Sequence, residues 1–139
     1  RNGADVAKAL ALGADAVSIG TAALIAIGDN DPKWEKEYED LGTVPGAYDA
    51  WHEGRDPAGI TTQDPELTAR LNPITAGKLL SNYLKVMTLE AQTIARACGK
   101  NHVHNLEPED LCALTIEAAA MAGVPLAGTD WVPGNSKIE

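Results

Sequence analysis

The chain has 139 residues, with 20 acidic against 11 basic side chains and a formal net charge of −9. That length supports one domain of roughly 100–150 residues and excludes a complete eight-stranded nucleotide or flavin barrel, which needs about 250. The acidic balance argues against nucleic acid and against an anionic membrane surface as partners, since both bind basic patches.

The first thirty residues carry the clearest pattern. Asn2 or Asp5 caps a helix in which Val6, Ala7, Leu10 and Ala11 recur at helical spacing, and Gly13 ends it. Residues 14–20 read as a short buried strand, and Thr21–Ile27 as one or two apolar helical turns. A strand approached through a helix belongs to a parallel sheet, which needs neighbouring strands and cover on both faces. No second convincing strand follows, so either the missing strands come from another chain or, the favoured reading, the chain is the C-terminal piece of a longer α/β protein.

Residues 28–63 are rich in Gly and Pro and read as a long irregular loop with a short helix at Pro32–Leu41. Trp34, Tyr38, Tyr48 and Trp51 give that loop something to pack with. Asp64-Pro65 and Asn72-Pro73 each place a capping side chain before a proline at the first helical position. The first of these helices is predicted to run to about Leu71, the second from Pro73 to about Cys98. Ile74, Leu79, Leu80, Tyr83, Leu84, Met87, Leu89, Ile94 and Ala95 form its predicted apolar face. Glu107-Pro108 opens a third helix that reaches Gly123, and residues 124–139 read as an extended tail.

No apolar run reaches the roughly 18 residues of a membrane span. The N-terminus has no signal-peptide pattern, and Cys98 and Cys112 are too few for a disulfide scaffold, so a cytoplasmic chain is expected. Both cysteines read as buried structural thiols. His102 and His104, near Glu107 and Glu109, lie in a polar loop, and with His52 they read as surface side chains; no metal site is expected. Asp15 reads as the solvent-near start of the strand. Gly20-Thr21, joining strand to helix, lets backbone N–H groups approach an anion closely. Arg1-Asn2-Gly3, just before the first helix, offers the other half of such a site. No catalytic triad order or phosphate-binding P-loop is present, and no catalytic residue is assigned.

Residues 1–24, from Arg1-Asn2-Gly3-Ala4-Asp5 to Ser18-Ile19-Gly20-Thr21-Ala22-Ala23-Leu24, resemble the end of the FMN-binding barrel of glutamate synthases. Pro57-Ala58-Gly59-Ile60-Thr61-Thr62-Gln63-Asp64-Pro65-Glu66-Leu67 is similar to the segment that follows that family's iron–sulfur cysteines, and the likeness extends through Ala95-Arg96-Ala97-Cys98-Gly99-Lys100. The resemblance implies an α/β fold in which residues 1–27 are the last helix, strand (Asp15–Ile19) and helix of a (β/α)8 barrel. A loop replacing the iron–sulfur segment (28–63), a helical extension (64–123) and a tail (124–139) would follow.

It further implies FMN as cofactor, its phosphate held at Gly20 and Thr21 with Arg1, Asn2 and Gly3 as flanking candidates. The implied reaction forms glutamate or N-methylglutamate from 2-oxoglutarate and ammonia or an amine by reduction of an imine. Glutaminase-like and electron-transfer subunits are the implied partners. The strands that would hold the flavin ring and 2-oxoglutarate are not in the chain, which is therefore expected to be inactive alone. Aligned on Pro57, the three cluster cysteines of glutamate synthases fall on Pro45, Trp51 and Asp56. None is a thiolate, the ligand that iron–sulfur clusters prefer, so the 3Fe–4S cluster is expected to be absent. That departure resembles glutamate-synthase-like subunits of the N-methylglutamate synthase kind. The competing reading makes residues 64–123 a non-catalytic helical interaction domain, with loop 28–63 docking a partner subunit.

Overall fold

The computed structural model describes residues 2–48 and 50–134, without the side chain of Trp51. Among these residues the α-helices run in order α1 (Gly3–Ala11), α2 (Thr21–Ala26), α3 (Glu35–Asp40), α4 (Pro65–Thr68), α5 (Pro73–Ala97) and α6 (Ile116–Ala122). The chain divides into two compact units, Arg1–Val17 with Val86–Glu139, and Ser18–Lys85.

In the first unit Asn2 caps α1, as predicted: its side-chain oxygen accepts from the amides of Ala4 and Asp5 at 3.1 and 3.2 Å. Gly3, Ala7, Leu10 and Ala11 are buried on one face. Gly3 rests directly on the second half of α5. A Cβ there would strike the Met87 carbonyl and Glu90 Cβ, and would come within 2.8 Å of the Ala91 amide nitrogen. The helix backbones can meet so closely because the contact is lined with small residues: Ala7, Ala11, Ala91 and Ala95, closed by Leu106.

This corrects part of the predicted apolar face of α5, in which Met87 and Ala95 are buried as predicted. The buried positions are Ala76, Met87, Ala91 and Ala95, whereas Ile74 is 86% and Leu89 57% exposed, and Leu79 and Leu84 are exposed too. Close helix approach selects side chains for smallness, a criterion that a search for large apolar residues misses.

The predicted third helix is two elements. A single 3-10 turn, Pro108–Asp110, is tied by the Glu107 amide donating to Asp110 Oδ2 at 2.9 Å. Helix α6 then starts afresh at Thr115, whose hydroxyl oxygen accepts from the Ala118 amide. Between them Ala113 leaves helical geometry: its amide donates to the Pro125 carbonyl and its carbonyl accepts from the Ala127 amide, both at 2.8 Å. The resulting parallel bridge of Ala113 with Leu126 draws Val124 and Leu126 back onto a small cluster with Ala113 and Ala119. The tail predicted over residues 124–139 is thus bonded back at its start; residues 135–139 lie outside the described residues.

The segment 14–20, expected as a strand whose neighbours lie outside the chain, is unpaired among the described residues. A strand exists through hydrogen bonds to a neighbour. In the second unit α2 ends one residue earlier than predicted, at Ala26. The short helix expected at Pro32–Leu41 is present as a 3-10 turn, Pro32–Trp34, leading into α3. Asp64 caps α4, which stops at Thr68, short of Leu71. Asn72 accepts from the amides of Ile74 and Thr75 at 3.1 Å each, starting α5 where the sequence placed it.

Candidate functional site

Gly20 begins α2 with φ +48°, a left-handed geometry that favours glycine. A Cβ on Gly20 would meet nothing within 4 Å, so the backbone is open to a ligand. Gly20 and Thr21 are exposed, and their amides donate to no described residue. On its other side Thr21 is packed: a Cβ on Gly46 would lie 3.0 Å from Thr21 Cγ2. Asn2 and Gly3 are already engaged. Asn2 caps α1, and the Gly3 amide donates to Glu90 Oε2 at 2.7 Å. Asn2 and Gly3 belong to the first unit and Gly20 and Thr21 to the second, while Arg1 lies outside the described residues.

Loop 28–63 is organised around three side chains. The Tyr38 hydroxyl, on α3, lies 2.9 Å from Oδ1 of both Asp29 and Asp56, and all three residues are buried. A phenol has one proton, so it is divided between two acceptors. Asp29 also accepts from the Gly46 amide. Asp56 is fully supplied: Oδ1 accepts from the Ala58 amide at 3.1 Å, and Oδ2 from the Ile60 and Thr61 amides at 2.8 and 2.7 Å and from the Thr61 hydroxyl at 3.2 Å. Burial opposes ionisation of Asp56, but these amides and the Tyr38 hydroxyl outweigh it and hold its carboxyl below the usual carboxylate range. Burial first, then the two carboxylates, push the Tyr38 phenol far above its ordinary range, so it stays a donor.

Arg70 braces the same loop. It donates to the Pro57 carbonyl at 2.9 Å and to Glu37 Oε2 at 2.8 Å, and its guanidinium stands 4.8 Å from the Trp34 ring centroid. Gly59 is required twice over: its φ is +74°, and a Cβ would collide with the Leu67 carbonyl.

Of the positions aligned with cluster cysteines, Pro45 has no ligating group and both oxygens of Asp56 are occupied by donors; the side chain of Trp51 lies outside the described residues. The two thiols belong to the other unit, Cys98 half-buried and Cys112 exposed, which corrects the reading of Cys112 as a buried thiol. The donor set of this loop does not fit an iron–sulfur cluster. His102 and His104 are exposed and stacked 5.3 Å apart; His102 Nδ1 accepts from the His104 amide, and His104 Nε2 lies 3.1 Å from the carbonyl oxygen of exposed Asp15. His52 is likewise exposed. Among the described residues no three His, Cys, Asp or Glu side chains converge as metal ligands, and no helix is long and apolar enough to cross a membrane.

The Tyr38 hub was not visible in the sequence, because its partners are 9 and 18 residues away with no periodicity. Asp56-Pro57-Ala58-Gly59 was the available signal. Asp, Pro and Gly stand there at the first, second and fourth positions of a turn, and the Gly59 amide does donate to the Asp56 carbonyl at 3.0 Å.

Comparison with known proteins now places the chain in a class. A family model described as the conserved region in glutamate synthase matches residues 1–32 and 47–101. The chain belongs to the glutamate synthase family. It is 82% identical over 134 residues to a glutamate synthase large subunit-like protein of Rhizobium meliloti (strain 1021), covering 96% of this chain and 30% of that protein. To an archaeal-type glutamate synthase [NADPH] of Dehalococcoides mccartyi it is 36% identical over 92% of this chain and 23% of the relative. To the archaeal glutamate synthase [NADPH] of Methanocaldococcus jannaschii it is 39% identical over 76% of this chain and 18% of the relative. The chain thus spans less than a third of the length of these relatives. No solved structure matches it.

Proposed function

We propose that this chain is the C-terminal part of an FMN-dependent, glutamate-synthase-like oxidoreductase that makes glutamate, or N-methylglutamate, from 2-oxoglutarate and ammonia or an amine. Family membership supports the oxidoreductase class. The observation that carries the chain's own share is the start of α2, where Gly20 has an open, left-handed backbone and the adjoining amides of Gly20 and Thr21 are unengaged. Such paired donors suit a phosphate. FMN, when bound, supplies the hydride that reduces the imine. Gly20 and Thr21 would hold its phosphate monoester. Asn2 and Gly3 are occupied within their own unit, capping α1 and seating it on α5. In this reading residues 1–27 close a (β/α)8 barrel whose other strands lie in the rest of the polypeptide, and the enzyme works in the cytoplasm with glutaminase-like and electron-transfer partner subunits.

The test is Gly20→Val in the intact enzyme. A β-branched side chain is strained at positive φ and stands in front of the two amides. FMN content by flavin absorbance should fall well below that of the parent, with the helical circular dichroism unchanged. Full flavin occupancy in the variant would overturn the assignment.

A further inference from the structure

We propose that the buried trio Asp29, Tyr38 and Asp56 takes the structural place of the iron–sulfur cluster that the family resemblance puts in this loop, and that the loop binds no iron. The proposal stands on the aspartates and the tyrosine themselves and does not depend on the FMN assignment. A cluster organises its surrounding chain by drawing several backbone segments to one buried, negatively charged centre. Asp56 does that work without metal. Its carboxylate gathers the amides of Ala58, Ile60 and Thr61, while Asp29 gathers the amide of Gly46, and the Tyr38 hydroxyl joins the two. The centre therefore reaches both chain segments in which Pro45 and Asp56, two of the cysteine-aligned positions, are found.

The family comparison marks the same joint independently. Asp29 and Asp56 lie within the two matched segments, whereas Tyr38 lies in residues 33–46, outside the match. The bridging hydroxyl thus comes from the stretch where this chain departs from the family pattern. A phenol is a suitable bridge, because a buried hydroxyl can only be kept by hydrogen bonds and this one is offered two charged acceptors. With both Asp56 oxygens saturated, no lone pair is left for an iron atom unless the loop comes apart. Electrons bound for a flavin in this protein would then arrive by a route other than a cluster held in residues 28–63.

Two measurements on the intact protein test the proposal. The first is iron and sulfide analysis with electron paramagnetic resonance after anaerobic reconstitution with ferrous iron and sulfide. Iron at background level is expected; a stoichiometric cluster signal that is lost on mutation of Asp56 would overturn the proposal. The second is amide hydrogen exchange in Tyr38→Phe, with Asp56→Asn as the alternative should the first variant not fold. Loss of the bridge should accelerate exchange at Gly46 together with Ala58, Ile60 and Thr61 by about tenfold or more, while the α1 amides keep their rates. Unchanged exchange at these four amides in the folded variant would overturn it equally.

Discussion

Single side chains set the chemistry of the long loop. Asp56 carries a charge that is wanted only in the folded state, where three amides and two hydroxyls converge on it. Its folded carboxyl titrates below the ordinary 3.8 of a free aspartate, so the stabilisation is complete above that pH. It is lost as the pH falls through 3.8 toward the lower folded value. Urea denaturation of the intact protein should therefore show a stability loss below about pH 4 that is smaller in Asp56→Asn, which has no proton to take up. An equal acid sensitivity in both would show that the charge at Asp56 contributes nothing. Arg70 is another residue whose identity matters: one planar guanidinium reaches the Pro57 carbonyl, Glu37 and the Trp34 face together, a geometry that a lysine ammonium cannot reproduce.

At the scale of the elements, local chemistry was readable and long-range geometry was not. Asn2, Asp64 and Asn72 announce the starts of α1, α4 and α5 because a cap acts within three residues of itself. Replacing Asn72 by Ala should cost about 1 kcal/mol, seen as a lower urea midpoint; an unchanged midpoint would mean the bonds to Ile74 and Thr75 are of no consequence. What was not legible shares one cause, dependence on residues far away in sequence. Residues 14–20 have strand composition but no neighbour among the described residues to pair with, and the stretch from Glu107 to Gly123 has helical composition but is interrupted where Ala113 bonds Pro125 and Ala127. The buried face of α5 was read correctly at Met87 and Ala95 but Ala91 was missed, because nothing in α5 alone records how closely α1 approaches and selects for smallness there. Of the candidate site, Gly20-Thr21 could be read from the order of its neighbours. The Asp29–Tyr38–Asp56 centre could not, since only folding brings those positions together.

For the molecule as a whole, the chain contains the proposed phosphate corner and lacks the residues the resemblance assigns to the flavin ring and 2-oxoglutarate. The isolated 139-residue chain should give no turnover of 2-oxoglutarate with ammonia or methylamine at any flavin concentration; measurable product from purified chain would sink that reading of its role. The seat of Gly3 on α5 has a further consequence, for the order of assembly. The bond between the Gly3 amide and Glu90 spans 87 positions, while the hydrogen bonds that join Asp29, Tyr38 and Asp56 to one another and to the amides they gather close over 18 or fewer. On a ribosome the loop can therefore mature as soon as it emerges, whereas α1 must wait, its alanine face bare, until the second half of α5 has been made. A helix made before the loop is thus buried after it, and that interval is when the nascent chain most needs a chaperone.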